Sequence, residues 1–378
     1  MGYLLTEQQE ELRSMIDEFY TKELDPLIPE YEEKGETPMQ FVKQGIQMGL
    51  HAMDIPEEYG GMGLDDRTTT ILVEEMARHD AGVSSAFTIT AMAMKCVLEM
   101  GSEEQKRRTG ALITAGKIGA FCLTEPQAGS NAAALKTSAV RDGDHYVING
   151  TKTFITNGGI ADFFIVMAMT DKSKGVKGIS AFIVERGPGV SSGKHENKMG
   201  MRLSNTTEVV FEDAVVPAEN LLGKEGFGYI TAMKALDGGR ASVAASAIGI
   251  AQRALEEAVK YAKLRIAFGQ PIGNFQAVQF MIADMEVGIE ASRGLVEKFL
   301  EKKERGLPYA KEGAMCKLFA TDTVMKVTTD AVQIFGGYGY SKDYPVEKLM
   351  RDAKVYQIFE GTNQIQRMVI AKFTDSEY

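Results

Sequence analysis

One carboxylate near the C-terminal end of this sequence stands where a base could work. In the window Val355-Tyr356-Gln357-Ile358-Phe359-Glu360-Gly361-Thr362-Asn363-Gln364, Gly361 suits the left-handed residue that ends a helix. Thr362 suits the N-cap of a following helix over 364–372. Glu360 then occupies the corner between two helices and faces whatever space they leave. Sharing that space with Ile358 and Phe359, its carboxylate is poorly hydrated, which raises its pKa toward the range a general base needs at neutral pH. A solvated Glu at a helix end is the competing reading of the same residues.

Other stretches have the composition of ligand loops. In Phe121-Cys122-Leu123-Thr124-Glu125-Pro126-Gln127-Ala128-Gly129-Ser130, Pro126 and Gly129 hold a turn open, exposing backbone N–H groups beside the hydroxyls of Thr124 and Ser130. Such a loop binds a pyrophosphate or the polar edge of a planar ring, although turns of this composition are also simply turns. In Phe154-Ile155-Thr156-Asn157-Gly158-Gly159 an aromatic ring and a hydroxyl share one strand face. That pair can stack on a ring and donate to it, or merely fill a core. Asp237-Gly238-Gly239-Arg240 is expected to open a long helix; its glycines permit close approach of a ligand chain, and capping explains it equally well. Arg265 ends that helix, where the dipole favours a cation. Gln333-Ile334-Phe335-Gly336-Gly337-Tyr338-Gly339 supplies another approachable backbone or an ordinary helix stop.

The elements that must position these residues fall into three blocks. Thr6 and Gln9 form a capping box ahead of Leu12, Met15, Ile16, Phe19 and Tyr20 at helical spacing. Further helices are expected over 38–48, 68–78, 84–100 and 103–115, with a loop at 57–63. From about Ile118 to Val216, short β-prone runs (145–148, 152–155, 163–168, 179–184, 208–211) alternate with Gly- and Asn-rich turns, the pattern of a small antiparallel β-domain. Long helices return at 240–265, 275–305, 308–336 and 345–359. Helices, then strands, then helices make an α+β chain, divided as 1–118, 119–226 and 227–378.

Composition narrows the function classes. The chain has 378 residues, enough for two or three domains, and 52 acidic against 42 basic side chains give a net charge of −10, which argues against a general nucleic-acid surface. Three separated cysteines (Cys96, Cys122, Cys316) and four scattered histidines leave metal and disulfide chemistry little to work with. P-loop and complete GxGxxG strings are missing. The one GxSxG string, Gly189-Val190-Ser191-Ser192-Gly193, is expected to be a loop and not a nucleophile elbow. The longest apolar run, 163–169, is far short of a membrane span, and the first residues lack a signal-peptide core. No membrane insertion and a cytoplasmic location are expected.

In this order and spacing, the pieces resemble the acyl-CoA dehydrogenase family over essentially the whole chain. The resemblance rests on Leu123-Thr124-Glu125-Pro126-x-Ala128-Gly129-Ser130, Phe154-Ile155-Thr156-Asn157-Gly158, Arg265-x-x-Phe268-Gly269, the Gln333 to Gly339 string, and Glu360-Gly361-Thr362-Asn363. It implies an N-terminal helical domain, a middle antiparallel β-barrel and a C-terminal four-helix bundle. FAD would lie between the last two, in a homotetramer whose neighbouring subunit helps to bind it. Phe121, Leu123, Thr124, Gly129, Ser130, Phe154, Ile155 and Thr156 match positions around the flavin and pyrophosphate. Gln333, Ile334, Gly336, Gly337, Thr362, Asn363 and Gln364 match further FAD contacts. Arg265 and Gln276, with Phe268 beside them, match residues that reach the partner's cofactor. Ser130, Asp237, Arg240 and Gly361 match positions near the acyl-CoA.

The activity so implied is α,β-dehydrogenation of an acyl-CoA thioester. Glu360 takes the pro-R α-proton while a β-hydride passes to flavin N5, and the electrons go on to an electron-transfer flavoprotein. The family's donors to the thioester carbonyl are the catalytic Glu's own N–H and an FAD ribityl hydroxyl. Members with the base on the helix near Arg240 carry it where this chain has Gly239, so Glu360 is the candidate, as in the short-chain, medium-chain and glutaryl types. Phe154 stands where many members have Trp, and Asn131 where Asp is frequent. Ser84 occupies the approximate place of the glutaryl-binding Arg, which disfavours a dicarboxylic substrate. Short linear acyl-CoA comes first, with branched, cyclic or aryl-propionyl thioesters next. The rival readings are an enoyl-CoA reductase of acryloyl or cinnamoyl type using the same site in reverse, a flavin-binding assembly subunit without turnover, and an acyl-CoA oxidase.

Overall fold

A computed structural model describes residues 4–377 of the chain. Five helices come first: α1 (Glu7–Glu23), α2 (Ile28–Lys34), α3 (Met39–Gln47), α4 (Asp66–Met100) and α5 (Glu103–Thr114). Their starts follow local chemistry. Thr6 with Gln9 and Ser102 with Gln105 close reciprocal capping boxes, and Asp65 accepts from Thr68 N at 2.7 Å. The helices expected at 68–78 and 84–100 are the two arms of α4, separated by Asp80 in extended backbone (φ −154, ψ 111). By length and composition α4 could cross a membrane, yet 67% of its most apolar window is buried inside the protein. It is a core helix.

The middle of the chain is one eight-stranded sheet: β1 (Gly119–Cys122), β2 (Ser138–Asp142), β3 (His145–Thr156), β4 (Phe163–Met169), β5 (Ile179–Glu185), β6 (Val190–His195), β7 (Thr206–Pro217) and β8 (Leu221–Leu222). The path runs β6-β7-β3-β2-β4-β5-β8, with β1 also on β4. Most pairings are antiparallel, but β1 and β2 each run parallel to β4. All seven residues of β4 are buried: Phe164, Val166 and Ala168 join the core shared with α1, α3 and α4, and Phe163, Ile165 and Met167 join that under α4 and α6. A strand covered on both faces reads as an unbroken apolar run, which is what 163–169 is.

Two expectations about this sheet need correction. The runs at 145–148 and 152–155 are one strand, since Asn149-Gly150 is a bulge and not a turn; the register shifts between Ile148 and Gly150, and a Cβ on Gly150 would meet Thr137. The Gly189 to Gly193 string is not a loop. Its Val190, Ser191 and Ser192 pair with β7, because an exposed edge strand needs no apolar alternation to be held by its ladder.

The chain ends in helices α6 (Gly228–Leu264), α7 (Gln276–Glu304), α8 (Ala310–Phe335), α9 (Val346–Tyr356) and α10 (Asn363–Glu377). Alanines 241, 244, 245, 247, 251, 254 and 258 along α6 are buried, and small side chains let helices pack at short separations. Where α6 crosses α4, a Cβ on Gly249 would stand 2.2 Å from Glu74 O. The three blocks are fastened by a buried ion cluster: Lys348 on α9 donates to Asp80 in the α4 break (2.6 Å) and to Asp352 (2.5 Å), and Asp352 accepts from Met201 N. Burial opposes the Lys348 charge, but Asp352 and Asp80 outweigh it and raise its pKa.

Candidate active site

Helix α9 stops at Tyr356, and the turn to α10 carries Glu360 and Gly361 in consecutive left-handed conformations (φ 53 and 86). A left-handed turn was expected at Gly361 alone. For Glu360 that backbone costs about 1–2 kcal/mol, so something must hold it. Lys317 on α8 is fully buried and donates to Gly361 O at 2.9 Å and Asn363 Oδ1 at 2.8 Å. Gln366 Nε2 donates to Gly361 O (3.1 Å) and Glu360 O (3.3 Å). Thr362 caps α10 as expected, its hydroxyl accepting from Ile365 N at 3.2 Å, and the helix starts at Asn363, one residue earlier than the spacing suggested. With both carbonyls turned inward, the N–H groups of Glu360 and Gly361 have no acceptor among the described residues.

Glu360 lines a cleft of about 460 Å³ between the two arms of α4, α6, α7 and the sheet. Thr156, Met201, Ser85, Gly238, Gly239, Val243, Tyr356 and Phe359 share that wall. Burial raises the Glu360 pKa, and the nearby Lys317 and Arg240 charges pull against that without reversing it. The result is a carboxylate that is ionisable and short of water. Burial also brings the Lys317 ammonium down to about 8, despite the Glu360 and Asp322 charges.

Asp237-Gly238-Gly239-Arg240 does not open α6; it lies more than two turns inside it. Capping is therefore not its role. Added Cβ atoms on Gly238 or Gly239 would meet nothing within 4 Å, and both residues face the cleft. Mid-helix glycines cost roughly 0.5–1 kcal/mol each, and here the return is space. Asp237 pairs with Arg240 at 2.6 Å, and Arg240 Nη1 donates to Ala310 O.

On the sheet side, the Phe121–Ser130 turn is organised by a pair that spacing gave no hint of. Glu125 accepts from Lys136 N (2.6 Å), Thr137 N (3.0 Å) and the fully buried Lys152 Nζ (2.8 Å). Burial alone would raise the Glu125 pKa, yet Lys152 and these donors hold it down to about 2. Lys152 itself is lowered by its enclosure in spite of Glu125. Thr124 O is tied to Thr153 N, joining the turn to β3. A Cβ on Gly129 would meet nothing, and the Gly129 and Ser130 N–H groups have no acceptor among the described residues. Phe154, at φ 55, is 64% exposed beside Thr156. An open glycine turn with free donors, an exposed ring and a hydroxyl in the cleft fit the pyrophosphate and ring of a flavin dinucleotide.

The remaining expected positions divide. Phe121 and Leu123 pack into the core under α4 and α6, and Ile155 and Ile334 are buried, leaving backbone as their means of contact. The Asn363 side chain is spent on Lys317, Thr321 and Asp322. Gln364 is exposed. Arg265, Phe268, Gln276, Gln333, Gly336 and Gly337 stand away from the cleft and exposed, with Arg265 over the Tyr338 ring at 5.4 Å and Phe268 94% exposed.

Lys317 was missed by the sequence reading. Its signal was a charged residue in step with Gly313, Cys316, Ala320 and Val324 on the buried face of α8. Replacing it by Met removes a cation that favours ionised Glu360, so the Glu360 pKa rises further. The acid limb of the kcat/KM profile is expected to move about one unit toward higher pH, while Lys317→Arg keeps it nearer the wild-type position. An unmoved limb in the Met variant would show that Lys317 has no electrostatic hold on the base.

Comparison with known proteins follows this geometry. Residues 6–117, 120–214 and 225–374 match the family profiles described as acyl-CoA dehydrogenase N-terminal, middle and C-terminal domains. A short-chain specific acyl-CoA dehydrogenase of Clostridium acetobutylicum is 49% identical over 374 residues, 98% of this chain and 99% of that one. The acryloyl-CoA reductase (NADH) of Anaerotignum propionicum is 46% identical over 376 residues, 98% of this chain and 95% of its own. A chain in the solved structure of the electron transferring flavoprotein of Acidaminococcus fermentans, concerned with flavin-based electron bifurcation, superposes with a TM-score of 0.96 at 49% identity, covering 99% of both chains.

Proposed function

The chain belongs to the acyl-CoA dehydrogenase family, flavin-dependent oxidoreductases acting on CH–CH bonds, and from that premise we propose that it converts a compact acyl-CoA to its enoyl-CoA with Glu360 as the base. The observation that carries this reading is the half-buried Glu360 carboxylate on the cleft wall, pKa raised by burial, next to its own unpartnered N–H.

The thioester carbonyl takes its hydrogen bond from the Glu360 N–H, which polarises it and acidifies the α-carbon as negative charge develops on oxygen. The Glu360 carboxylate then accepts the α-proton. Bound FAD supplies the acceptor for the β-hydride. The turn at Gly129 and Ser130, with Phe154 and Thr156, would hold that cofactor, and Arg265, Phe268 and Gln276 would complete the site of a neighbouring subunit. The exposed apolar side chains Leu264, Ile266, Phe268, Phe280 and Val287 support assembly with further copies of the chain, the homotetramer that the family resemblance implies. By the family resemblance, Asp237 and Arg240 would meet the acyl-CoA.

Electron-transfer flavoprotein is the proposed redox partner, supported by the similarity to the Acidaminococcus fermentans chain. The similarity to the acryloyl-CoA reductase supports a second reading, in which the same residues run in reverse and Glu360 returns a proton to the α-carbon of an enoyl-CoA. The retained Glu360 speaks against a subunit without turnover. Mixing the FAD-loaded protein anaerobically with a series of acyl-CoA thioesters tests the reaction class. Butyryl-CoA and compact relatives are expected to bleach the flavin within the mixing experiment and palmitoyl-CoA much more slowly. A flavin that stays oxidised with every thioester would end this reading.

A further inference from the structure

Two buried side chains of different kinds clamp the corner that bears Glu360. Lys317 Nζ donates to Gly361 O at 2.9 Å and to Asn363 Oδ1 at 2.8 Å, and its charge also bears on the Glu360 carboxyl. Gln366 on α10 is neutral. Its Nε2 donates to Gly361 O at 3.1 Å and to Glu360 O at 3.3 Å. Only Gln366 of the two reaches the Glu360 carbonyl. It is 0% exposed and stands behind the cleft wall, so it acts on a ligand through the backbone it holds.

What this amide leaves unmade shows what it is for. Its Oε1 is buried without a hydrogen-bond partner, and a buried acceptor left unmade is destabilising. An apolar side chain of the same length would bury no such atom, so the gain lies in the two bonds that Nε2 donates. Residue 361 makes room for them: a Cβ on Gly361 would stand 2.7 Å from Gln366 Nε2. In a trans peptide the C=O and N–H point opposite ways. Holding Glu360 O against the amide therefore turns the Gly361 N–H away from it. The chain entering the corner is fixed too, since Ile358 N and Phe359 N donate to Val355 O at 2.8 and 3.0 Å. Between these anchors the Glu360 and Gly361 N–H groups are left without an acceptor among the described residues. Were the peptide between them to turn over, a carbonyl oxygen would replace an N–H on the side Gln366 does not cover. A thioester oxygen arriving there would then meet another acceptor.

We propose that Gln366 is a positioning residue for the reaction: it keeps the Glu360–Gly361 peptide from turning over, so that the corner offers N–H groups and not carbonyls to the thioester oxygen. The inference rests on the reading of Glu360 as the base with its own N–H as a donor. It gives the two clamps separate tasks, since Lys317 favours the charge of the base and Gln366 aims the donors.

Gln366→Met keeps the length and removes the donor. In the FAD-loaded enzyme without oxygen, butyryl-CoA is expected to bleach the flavin of this variant about 10- to 100-fold more slowly, at or below the roughly 10²- to 10³-fold that outright loss of such a donor costs. The second readout is the carbonyl stretch of bound crotonyl-CoA, isotope-labelled at the carbonyl and followed by difference infrared spectroscopy. Hydrogen bonding lowers that frequency in the wild type, and in Gln366→Met it is expected to return toward the free thioester. The acid limb of the kcat/KM profile stays at its wild-type pH, because no charge is lost, whereas Lys317→Met moves it. Gln366→Asn, one methylene too short for both carbonyls, is expected to move the stretch the same way by less, and serves if the Met variant does not fold. An unmoved stretch, a rate within a fewfold of wild type, or a shifted acid limb each overturns the proposal, and leaves the dehydrogenase reading standing if butyryl-CoA bleaches the wild-type flavin. A wild-type stretch equal to that of the free thioester removes the donor and the proposal with it. A wild-type flavin that stays oxidised with every thioester removes both readings.

Discussion

Glu360→Gln is expected to yield a protein that folds, keeps its flavin and binds acyl-CoA, but reduces the flavin about 10²- to 10⁴-fold more slowly. The substitution is nearly isosteric and leaves the backbone N–H, the left-handed turn and the Lys317 and Gln366 hydrogen bonds to the carbonyls of 360 and 361 in place. What it removes is the proton acceptor. Among the described residues the other carboxylates on the cleft are paired, Asp54 with Lys95, Asp66 with Lys303 and Glu99 with Lys234; Asp237 is tied to Arg240 at 2.6 Å, and Gly239 fills the alternative position for the base that the resemblance offers. Stopped-flow bleaching under anaerobic conditions measures the rate, and the spectral change on binding enoyl-CoA reports whether the site is intact. A variant that binds and still bleaches within a fewfold of wild type would mean that another group takes the proton.

Lys152→Met is expected to be the most damaging single change to the framework. The lysine is fully buried, and its one carboxylate partner, Glu125, is 3% exposed. Removing the cation leaves Glu125 enclosed with only the Lys136 and Thr137 N–H groups and the Gln127 amide to stabilise its charge. Breaking a buried pair from one side costs about 3–5 kcal/mol. Removing both, as Glu125→Gln with Lys152→Met, is expected to restore much of that loss, because no lone charge remains. Thermal unfolding of the two variants checks the order. The Gly129 turn hangs on the same pair, so the single variant should also lose flavin on gel filtration. Equal stability of single and double variants would show that the pair is not the support described here.

The same pair sets an acid limit. The Glu125 carboxyl is held down to about 2 in the folded protein, against about 4.3 in an unfolded chain. Its ionised form therefore stabilises the fold above the unfolded value. That contribution drains away as the pH falls from about 4.3 toward the folded pKa, because the unfolded chain binds the proton first. Stability of the double variant should vary less over that interval than stability of the wild type.

How far the sequence reached can be judged from particular residues. The capping box at Thr6, the apolar run of β4 and the stop at Gly361 depend on neighbours within a few positions, so composition and spacing reveal them. The double glycine at 238–239 was visible, but its place was misjudged: flanking charges look the same at a helix start and in its middle. The Asn149-Gly150 bulge passed for a turn because both put a glycine at positive φ between β-prone runs.

Local order thus announced the helix–sheet–helix plan, the corner that bears Glu360 and the turn around Gly129, since each depends on residues close along the chain. The surroundings of that carboxylate were settled only by folding. Lys317 and Arg240 come from α8 and α6, Met201 is set by Asp352, and residues from both arms of α4, which part at Asp80, line the one cleft. Charges are felt through space, and burial is a property of the whole packing, so neither leaves a period or a spacing to be read beforehand.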